Sequence, residues 1–98
     1  MYSKKDYRFD RIIKSKRATK KYAAVLINRI SGIPVKVHFG GVRANGIPYD
    51  QYYDSALEAY SKYNHEDKDR KRLWLLRHAK DGFKPYSPSY FARKYLWN

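Results

Sequence analysis

Tyr22-Ala23-Ala24-Val25-Leu26-Ile27-Asn28, followed by the turn residues Ser31-Gly32 and Pro34 and then by Val35-Lys36-Val37-His38-Phe39, is the stretch on which the fold turns. The first run is apolar, of strand length and rich in β-branched residues, as a buried strand requires. In the second, Val35, Val37 and Phe39 alternate with Lys36 and His38, the period-two pattern of a half-buried strand. Ser-Gly supplies the turn, and Pro34 holds its predecessor extended. The two runs predict a β-hairpin.

Downstream of the hairpin, Gly40-Gly41 and Asn45-Gly46 with Pro48 bracket a loop in which Arg43 is free to meet a partner. Residues 50–64 predict a helix, because Tyr53, Leu57 and Tyr60 recur at helical spacing. Asn64 is the expected cap of a second helix running to about Lys80, with Leu73, Leu76 and Ala79 on an inward stripe and Trp74 beside it. Gly82 is the expected stop. Ser87-Pro88 reads as a cap and first helical position for a short last helix that carries Phe91 and Tyr95 inward. The predicted fold class is α+β: a basic N-terminal arm, one β-hairpin, two helices and a short C-terminal helix.

Charge divides the chain differently. It carries 22 Lys and Arg against nine Asp and Glu, a net +13 over 98 residues. Residues 1–21 hold nine of those cations against Asp6 and Asp10, a net +7, leaving +6 for residues 22–98. The expected organisation is an arm over 1–21 and a small domain over 22–98. The arm reads either as a flexible solvated tail or as a segment that orders on a phosphate surface or a neighbouring subunit. Its apolar residues Tyr7, Phe9, Ile12 and Ile13 exceed what a tail requires.

A field this positive nominates nucleic acid as partner, through release of condensed counterions. The residues expected to meet phosphate are Lys14, Lys16, Arg17, Lys20 and Lys21 in the arm, then Arg70, Lys71 and Arg77 on the second helix. They would grip backbone rather than read bases. The bland alternative for the helical cluster is a solvated polar face partly neutralised by nearby acids. Tyr90, Tyr95 and Trp97 are the expected protein-interface residues, since Tyr and Trp more often pack at interfaces than stack on bases.

Several chemistries are excluded or disfavoured. Cysteine is absent, which removes disulfides, thiolate zinc sites and cysteine nucleophiles. No serine triad order, phosphate loop or zinc spacing occurs. A hairpin followed by Asn64-His65 evokes small metal-dependent ββα nucleases. However, His65 and His78 are thirteen residues apart, and Asp67 and Asp69 read better as first-turn acids. No enzyme activity, metal or cofactor is expected. No apolar run is long enough for a membrane span, and none resembles a signal region, so no membrane partner is expected.

Val37-His38-Phe39-Gly40, Tyr49-Asp50-Gln51-Tyr52, His65 with Asp67, Arg70-Lys71, Arg77-His78 and Leu96-Trp97-Asn98 together resemble a family of small basic proteins. Its members are encoded by large DNA viruses, phycodnavirus-like and iridovirus-like, and by related aquatic viruses. The resemblance spans residues 22–98 and departs from the family in a longer segment over 55–64. It implies a virion setting, with the host cytoplasm or nucleus during assembly. The expected role is then a non-enzymatic, virion-associated structural or nucleoprotein component that contacts DNA phosphates and larger capsid proteins. The alternative is a minor capsid protein cementing other capsid proteins. A ribosome-associated protein and a nuclease follow behind.

Overall fold

The computed structural model describes residues 2–98. Three strands, β1 (Tyr7–Lys14), β2 (Lys20–Asn28) and β3 (Pro34–Gly41), form an antiparallel sheet in the order β1-β2-β3. Helix α1 (Lys68–His78) and helix α2 (Pro88–Tyr95) follow, making a mixed α+β fold. The hairpin predicted around Ser31-Gly32 is the β2–β3 pair, with Tyr22 opposite Phe39, Ala24 opposite Val37 and Leu26 opposite Val35.

Residues 7–14 correct the division into arm and domain. They are a strand, paired with β2 through Phe9 opposite Leu26 and Ile12 opposite Ala24, with a bulge between Phe9 and Arg11. The physical reason lies in the apolar residues of that segment. Phe9 sets its ring 5.9 Å from Phe91 of α2, and Tyr7 and Ile12 also pack against the core. Burying them offsets the entropy of ordering the segment.

The helix predicted over 50–64 does not form. The segment is irregular, with a bridge between Gln51 and Asn64 and a single 3-10 turn at Ser61–Tyr63. Buried polar side chains outcompete the helical ladder for its backbone donors. The Asp54 carboxylate accepts the N–H groups of Ala56 and Tyr60 and the hydroxyl of Tyr22, and Asn64 Oδ1 accepts the N–H of Asp54. Glu58, at φ 60°, adopts a left-handed conformation that no helix tolerates.

The second helix starts later than predicted. Asp67, not Asn64, is its cap and accepts the N–H groups of Asp69 and Arg70. It also faces another way. Trp74 is 7% exposed, whereas Leu73 and Leu76 are 51% and 62% exposed. The indole decides the rotation: it stacks on Trp97, at 5.1 Å, and on His78, at 4.1 Å, aromatic contacts that neither leucine can make. Gly82 ends the following turn in the left-handed conformation, and Ser87 and Pro88 open α2, both as the sequence predicts. The core sits between one face of the sheet and α2, where Tyr22, Leu26 and Phe39 meet Phe91 and Leu96.

Candidate nucleic-acid interface

The start of β2, the end of β3, the 43–50 loop, the inner edge of α1 and the start of α2 surround an open cleft of about 1160 Å³. Seven cations line it: Lys20, Lys21, Arg43, Arg70, Arg77, Lys80 and Lys84. Among the described residues Asp50 is the one carboxylate in its wall. Trp74, Trp97, Tyr49 and Phe39 give it an aromatic floor, and Ser87 and Ser89 stand at its far rim.

The floor depends on two glycines. At Gly40, φ is 80°, and a Cβ there would come within 3.0 Å of both Leu96 and the Lys21 stem. At Gly41 a Cβ would press within 2.9 Å of the Tyr49 ring. The Gly-Gly pair therefore lets the Lys21 stem, Leu96 and Tyr49 close on the end of β3. Arg43 caps this corner, with its guanidinium 4.4 Å from the Tyr49 ring centre and one N–H donated to the carbonyl of Pro48.

Lys21 is only 2% exposed. Its ammonium donates to the carbonyl of Tyr49 and to Gln51 Oε1, each at 2.6 Å. Burial pushes its pKa down to about 8, against the pull of Asp54 and Asp50. Gln51 is fully buried and passes the connection on, donating to the Tyr60 carbonyl and to Asn64 Oδ1. Lys21 thus straps the 49–64 segment to the sheet and adds its charge to the cleft from behind the wall.

The remaining predicted phosphate contacts separate. Lys20, Arg70 and Arg77 converge on the cleft, and Arg70 is steadied by Asp50 at 3.6 Å. Lys14, Lys16 and Arg17 are exposed at the β1–β2 turn, outside the cleft, with Lys14 reaching over the Tyr60 ring. Lys71 is half-buried, its ammonium 4.7 Å from the centre of the Tyr52 ring. The 43–50 loop adds Arg43, which the sequence leaves free to meet a partner, and the turn after α1 and the approach to α2 add Lys80 and Lys84, which were not among the predicted contacts. They come from three segments that meet only around the cleft, and no spacing along the chain encodes that.

The predicted interface residues serve the domain's own packing. Tyr90 meets Phe91 edge to face, and Tyr95 lies against Phe39. Trp97 stacks on Trp74 and borders His65. The histidines sit on separate elements, and among the described residues no three His, Asp or Glu side chains gather in a group able to hold a metal ion. Among those residues no helix is long and apolar enough to cross a membrane. In comparisons with known proteins the chain matches no family model, no curated protein and no solved structure.

Proposed function

We propose that this protein is a non-enzymatic nucleic-acid-binding component that holds backbone phosphates in the cleft between β3, α1 and α2. The observation that carries this reading is the convergence of seven cations on one concavity whose described lining includes a single carboxylate. Such a surface concentrates counterions, and a polyphosphate gains by displacing them. Lys20, Arg43, Arg70, Arg77, Lys80 and Lys84 are the contacts, and Lys21 and Asp50 hold the frame. The partner is DNA, bound without base specificity. The resemblance to small basic proteins of large DNA viruses supplies the setting, a virus particle or virus factory in which the protein lines or condenses the genome.

The test is binding of a fluorescent duplex over a salt series. The reading expects log affinity to fall linearly with log salt, by about 0.9 for each phosphate neutralised, with little difference between unrelated sequences. No binding at low salt would overturn it.

The second reading, a minor capsid protein that cements larger capsid proteins, draws on a different observation: the apolar ridge that α1 turns to solvent.

A further inference from the structure

We infer that the outer face of α1 is a docking site for an acidic amphipathic segment of a partner protein. Leu73 and Leu76 stand three residues apart on α1 and are about half or more exposed, although nothing in the geometry of a helix requires leucine at solvent-facing positions. With Arg70, Arg77 and the edge of Trp97 they line a shallow groove of about 470 Å³.

The composition of this groove specifies its occupant. An apolar ridge is matched by apolar residues recurring at three- and four-residue spacing on a short helix. Flanking arginines are matched by carboxylates, which they bind in a forked, two-point geometry. A second copy of this chain is the wrong partner: it brings a net charge of +13 and the same arginines to the contact. The groove is also short, so its fit is to a segment of a few helical turns rather than to a broad protein face.

The site shares Arg70, Arg77 and Trp97 with the cleft but not Leu73 and Leu76, and the two are separable on that basis. The probe is a labelled synthetic peptide of about 18 residues, five helical turns, with leucine on one face and glutamate elsewhere. Its control has the same composition with the leucines spread around the helix. Binding is measured near 150 mM salt, where purely long-range attraction is screened.

The inference expects the amphipathic peptide to bind at least about tenfold more tightly than its control. It also expects the double substitution Leu73→Ser with Leu76→Ser to remove that difference. Both positions are half or more exposed, so the variant should still melt cooperatively, within several degrees of wild type, and keep the wild-type duplex-DNA affinity. Equal binding of the two peptides, no binding of either, or undiminished preference in the variant overturns the inference. Failure of the nucleic-acid reading would appear instead as wild-type protein that does not bind duplex at low salt.

Discussion

Trp74 and Trp97 lie face to face, with ring centres 5.1 Å apart and planes 4° from parallel. This contact ties the end of the chain to the middle of α1, and with it fixes where Arg70 and Arg77 stand at the cleft. Trp97→Ala should therefore destabilise the protein by about 2 kcal/mol, less than a fully buried tryptophan because the ring is half-buried. Urea denaturation gives the stability. Duplex affinity should fall with it under conditions where the variant is still folded, since α1 loses its brace.

Removal of residues 1–14 should abolish cooperative folding rather than merely reduce charge. Without β1, the backbone of β2 loses one of its two partners, and Phe9 no longer covers Phe91. Circular dichroism on heating will show this as loss of a sharp transition. A truncated chain that melts as sharply as the full one would restore the division into an arm and a domain over 22–98.

Gln51→Leu should cost about 2–3 kcal/mol, because it leaves the buried Lys21 ammonium with the Tyr49 carbonyl as its remaining acceptor. The same ammonium has a signature in pH. Its folded pKa, about 8, lies below the unfolded value of 10.5, so the unfolded chain holds the extra proton between them. Stability should rise from pH 8 towards 10, and Lys21→Met should flatten that rise. Above pH 10 the trend reverses, because burial and the bond to Asp54 raise the pKa of Tyr22.

Acid should weaken the fold through two histidines. Burial first, and neighbouring cations second, hold His38 and His65 below the ordinary value of 6.5. A lowered pKa means that the folded state refuses a proton the unfolded chain accepts. The contribution of these two histidines is thus complete above pH 6.5 and lost as pH falls below it. His65 Nδ1 accepts the N–H of Asp67, so protonation removes that acceptor beside the α1 cap. The melting temperature should fall between pH 7 and pH 5, and less steeply in His65→Gln.

What the chain discloses to a reader of its sequence is local. Period-two alternation over Val35–Phe39, the Ser87-Pro88 start and the Gly82 stop act within a few residues, and each appears where its pattern places it. The 50–64 segment misleads because its helical spacing is genuine, while the competing acceptors, Asp54 and Asn64, act through buried bonds that include the distant Tyr22 hydroxyl. The rotation of α1 is hidden for a similar reason: Leu73 and Leu76 predict an inward stripe, and only the arrival of Trp97 makes Trp74 the better core residue. Charge was legible as quantity. Its convergence was not, since the cleft draws Lys20, Arg43, Arg70 and Lys84 from four separate parts of the fold.

The claim that the cleft, rather than the basic β1–β2 turn, holds phosphate is tested most directly by two variants of equal charge loss. One carries Arg70→Gln, Arg77→Gln and Lys84→Gln in the cleft; the other carries Lys14→Gln, Lys16→Gln and Arg17→Gln in and beside the turn. Duplex binding across salt should lose about 0.9 of log–log slope for each phosphate contact removed in the cleft variant and keep the wild-type slope in the turn variant. A turn variant that loses as much slope as the cleft variant, or more, would contradict the account.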